Sequence, residues 1–190
     1  GTGTGIFLEH LQGSGFACVV GVEPSLAAIA AAAPHRRAWI REGMFREQDF
    51  APASFDLVCC FMTLEHVRDP AQIADAAFRL LRPGGAFVSV THDYQSPVNR
   101  LLGRRSPIID IEHMQLFNRR SAVELLRRSG YERVSVAAFR NRYALRYWMR
   151  LTPLPARLKG GLLSMLRGAG LDGIKIGLNV GNAMAAGFKP

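Results

Sequence analysis

Three groups of residues in this chain have types and spacing suited to chemistry. Gly1-Thr2-Gly3-Thr4-Gly5 is a glycine-rich turn that runs into an apolar stretch at helical spacing, residues 6–11. Such a turn lets a ligand approach the backbone and aims a helix N-terminus at it. The dinucleotide pattern G-x-G-x-x-G requires glycine at position 6, where this chain has Ile6. Glu23 closes the next apolar run, a position from which a carboxylate accepts ribose hydroxyls or serves a following helix dipole. The third group is histidine. His66 and His92 follow apolar runs and His113 lies in a long connection, which places all three at the ligand-binding edge of an α/β sheet. An imidazole there titrates near neutrality. His113, then His66, are the acid/base candidates, with a structural hydrogen-bonding role left open for each. Glu65, Glu112 and His113 lack a diagnostic metal spacing, and no metal is expected. His10 and His35 fall on outer surfaces.

The elements that must position these residues follow from periodicity. Residues 17–22 and 55–61 are short, almost wholly apolar runs, the mark of strands covered on both faces. Pro24-Ser25 opens an alanine-rich helix to Ala33, and residues 38–41 read as a short strand. Asp69-Pro70 begins a helix with Ile73, Ala77, Phe78, Leu80 and Leu81 inside. Residues 86–90 form the next strand. Residues 93–117 lack periodicity and read as a functional loop. A helix then starts at Asn118 or Ser121, with Ser121 and Glu124 at capping-box spacing, and stops at Ser129-Gly130. Residues 131–139 read as strand, 143–151 and 156–167 as helices, and 182–188 as a closing strand. Strands alternating with helices predict an α/β sandwich around a mostly parallel sheet.

Length and composition set the bounds. The 190 residues and 20.9 kDa suit one domain. No run has the length of a membrane span, and the longest candidate, residues 17–33, is broken by Glu23 and Pro24. No basic-then-apolar leader of the secretory kind is expected. Three cysteines, two of them adjacent, make no disulfide framework and point to a reducing cytoplasm. The net charge of +9 is uneven: residues 1–99 hold 7 basic and 10 acidic side chains, residues 100–190 hold 17 and 5. The second half therefore faces an anionic partner, or the arginine excess reflects base composition alone. Arg142, Arg146 and Arg150 recur every four residues as one helical stripe, Leu158, Leu162 and Leu166 repeat that step, and Gly160-Gly161 marks a hinge. The two helices either pack on the domain with solvated outer faces or form a lid for an anionic or lipid-linked acceptor at a membrane surface. Nothing matches a nucleic-acid recognition module, so specific nucleic-acid binding is not expected.

Five stretches in order resemble the class I S-adenosylmethionine-dependent methyltransferases, and most nearly the small-molecule type that includes the ubiquinone-pathway O-methyltransferases. They are Gly1 to Gly5; Gly21-Val22-Glu23-Pro24-Ser25; Phe55-Asp56-Leu57-Val58 running on to Leu64-Glu65-His66-Val67; Leu80-Leu81-Arg82-Pro83-Gly84-Gly85; and Glu112-His113 with Leu116-Phe117-Asn118. The resemblance implies a Rossmann-like sandwich with an antiparallel closing strand, S-adenosylmethionine as cofactor, and methyl transfer to a small-molecule acceptor at oxygen. It implies that Gly1, Gly3 and Gly5 pass beneath the methionine part and that Glu23 binds the ribose. Phe61 and Met62 would line the sulfonium, or both simply pack the core.

The chain departs from the pattern twice. Gly43 is followed by Met44 and Phe45 where many relatives have an acidic residue for the adenine amino group. An apolar face and a backbone amide then hold the adenine, or Glu47 or Asp49 substitutes. The family's first strand, which belongs mid-sheet, does not precede the glycine turn. The expectation is a single methyltransferase-like domain over residues 1–190, N-terminally incomplete, with residues 141–181 a basic helical insertion before the last strand. Rival readings are a non-catalytic binding protein of the same fold and a nicotinamide-dependent oxidoreductase, the latter disfavoured by Ile6.

Overall fold

The computed structural model describes residues 1–152 and 154–190. The glycine turn enters α1 (Ile6–Gly13) through Gly5, which caps it in the left-handed region at φ 72°, a conformation costly for any residue with a Cβ. β1 (Gly21–Glu23), α2 (Leu26–Ala31), the single turn α3 (Pro34–Arg37) and β2 (Ile40–Glu42) follow. Ser25 caps α2, its hydroxyl accepting the Ala28 N–H at 3.3 Å. The helix stops short of the expected Ala33 because Pro34 drives the preceding residue out of helical geometry; Ala33 is extended at ψ 146°. β1 and β2 pair in parallel. Residues 17–20, expected as strand, stay outside this ladder because β1 has a partner on one side only.

The second half of the architecture is a four-stranded sheet of β3 (Phe55–Phe61), β4 (Leu81–His92), β6 (Lys175–Phe188) and β5 (Glu132–Ala144), in that spatial order. β3 is parallel to β4, and β6 is antiparallel to both its neighbours, so β3, β4 and β5 share a direction that β6 reverses. This is the mixed α/β layout with an antiparallel closing strand. α4 (Pro70–Leu80), α5 (Pro97–Leu102), α6 (Arg119–Arg128), α7 (Leu145–Leu151) and α8 (Ala156–Gly168) complete it. Asp69 caps α4 by accepting the N–H groups of Ala71 and Gln72. The core lies where α4 and α6 meet β4 and β6, around Leu81, Phe87, Leu126 and Tyr131. Tyr131 ties three layers: its ring stacks on Phe87 at 5.7 Å and meets Phe78 edge-on at 5.1 Å, and its hydroxyl donates to the Ala74 carbonyl at 3.0 Å. Burial of that hydroxyl raises its pKa far above the ordinary tyrosine value.

β1 and β3 are both edge strands, and an apolar cleft of about 450 Å³ lies between them. The resemblance puts a strand in this seam. Two bonds cross its carboxyl end: the Thr2 N–H donates to the Val22 carbonyl at 2.9 Å, and the Gly1 nitrogen donates to Thr63 Oγ1 at 3.3 Å.

Elsewhere the structure corrects local expectations. The loop 93–117 contains α5, organised by a buried polar knot. The Asn99 amide donates to the Asp93 carbonyl at 2.7 Å, and the Ser106 hydroxyl donates to Asn99 Oδ1 at 2.9 Å. The capping box of α6 is formed by Asn118 and Ser121, not Ser121 and Glu124. β5 and β6 run on past the sheet as a two-stranded hairpin, Asn141 opposite Leu178 to Ala144 opposite Lys175. Arg142 is therefore on a strand, and only Arg146 and Arg150 share α7. α8 continues unbroken through Gly160-Gly161, because two weak residues do not offset a helix otherwise rich in strong formers. Among the described residues no helix is long and apolar enough to cross a membrane.

Candidate active site

The carboxyl ends of β1, β3 and β4 deliver the chemistry to one edge of the fold. β1 ends in Glu23, which is 7% exposed. Its Oε2 accepts the Gly3 N–H at 2.6 Å and its Oε1 accepts the Ser25 N–H at 2.9 Å. One carboxylate thus ties the glycine turn to the start of α2. A Cβ on Gly1 would meet the Glu23 carboxylate, so a larger residue there would displace that side chain. An ionised carboxylate offers about four lone-pair sites, so two acceptor positions remain after these bonds.

Gly1, Met44, Phe45 and Phe61, four of the residues implied for the cofactor, line the cleft beside Thr63 and His66. Gly3, Gly5, Glu23 and Met62 do not line it. Gly3 and Glu23, bonded to each other, adjoin the lining residues Thr2, Val22 and Pro24. Met62 has φ 48° and its N–H donates to the Val90 carbonyl at 2.8 Å, which fixes the turn after β3. The Phe61 ring meets Phe7 of α1 edge-on at 4.7 Å. Of the two alternative adenine partners, Glu47 is taken by a two-pronged pair with Arg79 at 2.6 Å and 2.6 Å. Asp49 gives its backbone carbonyl to Arg41. Cys59 and Cys60 also line the cleft, but burial pushes their thiols up to about 12 and about 11, so neither is a nucleophile near neutrality.

The histidines converge. The rings of His66 and His113 lie 4.6 Å apart, and His92 meets His113 edge-on at 5.5 Å. His66 Nδ1 donates to the Glu112 carbonyl at 2.9 Å, and His113 Nδ1 donates to Asp110 Oδ1 at 2.8 Å. Each bond fixes the tautomer and leaves Nε2 with a free lone pair. Partial desolvation pushes the Asp110 carboxyl up, and the hydrogen bonds from His113 and the Glu112 N–H together outweigh it and hold the carboxyl low. Burial pushes the His92 imidazole below its ordinary value against the pull of Glu65. His92 Nδ1 donates to Asn182 Oδ1 at 3.0 Å. Glu65 is 2% exposed, and neither carboxylate oxygen has a hydrogen-bond partner. The loop that carries His113 is stitched to this turn: the Gln115 N–H donates to the Glu65 carbonyl at 3.1 Å and its side-chain amide to the Arg68 carbonyl at 3.2 Å.

Asp110 and Asn182 were not singled out from sequence, and nothing in their local pattern marks them. The Glu112 contribution is its backbone carbonyl, so the grouping of Glu65, Glu112 and His113 is replaced by Glu65, His66 and His113.

The methyltransferase domain family profile matches residues 1–136. The chain belongs to this family. Among its relatives, a protein of Mycolicibacterium smegmatis named as an S-adenosylmethionine-dependent methyltransferase is 35% identical over 118 residues, 60% of this chain and 43% of that one. A ubiquinone biosynthesis O-methyltransferase of Thiobacillus denitrificans is 37% identical over 91 residues, 45% of this chain and 39% of that one. The aligned part thus spans less than half the length of these curated methyltransferases. A crystal structure of a Thermotoga maritima methyltransferase superposes with a TM-score of 0.65 at 21% identity, covering 100% of this chain and 79% of that one. A Haemonchus contortus phosphoethanolamine N-methyltransferase gives 0.61 at 18% identity, covering 100% and 47%. These likenesses show the Rossmann-like methyltransferase fold.

Proposed function

We propose that this methyltransferase-family chain binds S-adenosylmethionine and transfers its methyl group to a small-molecule acceptor at oxygen. The observation that carries the reading is the buried Glu23 carboxylate, which ties the glycine turn to the start of α2 and keeps acceptor capacity to spare. The residues suit the cofactor's parts. Glu23 offers two lone-pair positions to ribose hydroxyls. Met44 and Phe45 present an apolar face to adenine, and the turn's missing side chains let the methionine end approach the backbone. The cofactor, when bound, supplies an electrophilic sulfonium methyl. The chain's own contribution is to hold donor and acceptor in line and exclude water, with Phe61 and Phe7 closing the apolar wall. His66, which lines the cleft, and His113, whose ring lies 4.6 Å from it and which Asp110 orients, are the residues placed to take the acceptor proton. Transfer at oxygen is supported by the names of the ubiquinone-pathway relatives. The basic second half supports an anionic or lipid-linked acceptor, and the three free cysteines support a reducing, cytoplasmic setting.

The test is a thermal-shift comparison. S-adenosylhomocysteine at about a hundredfold excess over its Kd should stabilise the chain by roughly 2.7 kcal/mol, whereas NAD should not. Stabilisation by NAD alone would install the oxidoreductase reading, and stabilisation by neither would leave a binding protein of this fold.

A further inference from the structure

We propose that Glu65, His66 and His113 bind one divalent transition-metal cation of the zinc class. One ligand atom from each lies within 4.8 Å of the others. Ligand atoms across a tetrahedral zinc stand about 3.4 Å apart, given metal–ligand distances near 2.0–2.1 Å, so small side-chain rotations close the site. Two further observations point to a cation. The Glu65 carboxylate is buried with both oxygens unpartnered, and a buried anion without a donor is strongly unfavourable unless a positive charge meets it. Both imidazoles carry the outer support that metal-ligating histidines have: His66 Nδ1 donates to the Glu112 carbonyl and His113 Nδ1 to the Asp110 carboxylate, which turns Nε2 of each ring into the ligating atom.

The donor set selects the metal. Two neutral imidazoles and one carboxylate suit zinc, iron(II) or manganese, whereas magnesium and calcium take oxygen ligands throughout. Three protein ligands leave a coordination position open, as catalytic rather than structural sites do. His66 lines the cleft, so the site borders the space assigned to the reactants. An acceptor hydroxyl in that open position would lose its proton more readily. This use of the cation rests on the methyl-transfer reading; the binding itself does not.

The experiment uses the full chain in a Cys18→Ser background, which removes the exposed thiol. After chelator treatment it is titrated with Zn²⁺ and Co²⁺, and retained metal is counted by mass spectrometry alongside the visible absorption of Co²⁺. One equivalent should be retained. Glu65→Gln and His113→Ala should each weaken binding more than about tenfold, and Asp110→Asn by roughly 10- to 100-fold. His10→Ala, remote from the site, should leave it unchanged. Circular dichroism confirms folding, and His113→Ala keeps the test decisive if Glu65→Gln does not fold. Absence of saturable retention, or affinity in Glu65→Gln and His113→Ala unchanged from the parent's, overturns the proposal. Calorimetry with S-adenosylhomocysteine on the same samples separates the two readings. Metal retained without nucleoside binding overturns methyl transfer alone, and nucleoside binding without metal overturns this site alone.

Discussion

The side chain on which the nucleoside reading turns is Glu23, and its bonding defines what a substitution should do. Its two oxygens already hold the N–H groups of Gly3 and Ser25, so the same carboxylate shapes the glycine turn and would meet the ribose. Glu23→Gln keeps the volume but puts an amide donor against one of those N–H donors. Hydrogen bonds to a charged group contribute about 1.5–3 kcal/mol each, so affinity for S-adenosylhomocysteine should fall at least about tenfold in Glu23→Gln and escape detection in Glu23→Ala. Isothermal calorimetry reads this directly, and an unchanged affinity removes Glu23 from the site. His113 should behave differently because it stands beside His66 on the proposed acceptor side rather than at the glycine turn. In His113→Ala, radiolabelled methyl transfer to a dihydroxybenzoate probe should drop by roughly 10² or more, with nucleoside affinity within about threefold. Equal loss of both would make His113 a residue that shapes the loop.

At the scale of elements, α6 gives a clean test of local reasoning. Its N-terminus is closed by the Asn118 side chain accepting the Ser121 N–H at 2.7 Å, while the Ser121 hydroxyl accepts the Asn118 N–H at 2.9 Å. Glu124, which the sequence spacing nominates, instead pairs with Arg128 on the exposed face. Asn118→Ala should therefore cost about 1 kcal/mol, and Glu124→Gln less than about 0.5 kcal/mol because exposed pairs contribute little. Urea midpoints of the two variants decide between the boxes. β3 was legible to the residue and the start of α4 at Asp69-Pro70 equally so, because period and caps are local signals, whereas only the end of the apolar run 17–22 became strand. The polar knot of Asp93, Asn99 and Ser106 was not, since α5 is fixed by contacts between side chains and backbone rather than by an apolar stripe. The same limit applies at the site. The histidines could be placed on one edge from the strand order, but Asp110, Asn182 and the isolation of Glu65 exist only through tertiary contact.

At the scale of the whole molecule, the charge asymmetry acquires a place. The β5–β6 hairpin leaves the sheet and carries α7 and α8, and the arm is anchored by Trp148, whose indole N–H donates to the Ile176 carbonyl at 2.9 Å. α8 buries none of its residues: Leu158 is 60% and Met165 64% exposed, with Arg157, Lys159 and Arg167 on the same helix. An apolar stripe flanked by cations and left open to solvent is the pattern of a helix that lies in a lipid interface. α8 contacts α7, and Lys159, Leu163 and Leu166 along it are half-buried, so packing with solvated outer faces is the alternative that a vesicle experiment tests. Each cation near an anionic leaflet contributes about 1 kcal/mol, and the inserted leucine and methionine side chains add to this. The chain should co-sediment with vesicles containing phosphatidylglycerol, much less with pure phosphatidylcholine, and should be released as salt shortens the Debye length. Leu158→Glu with Met165→Glu should abolish association while leaving S-adenosylhomocysteine binding intact, because both lie on an arm that contributes nothing to the cleft lining. Equal binding to neutral and anionic vesicles, or none to either, would make this arm a solvated extension whose arginines serve only the acceptor.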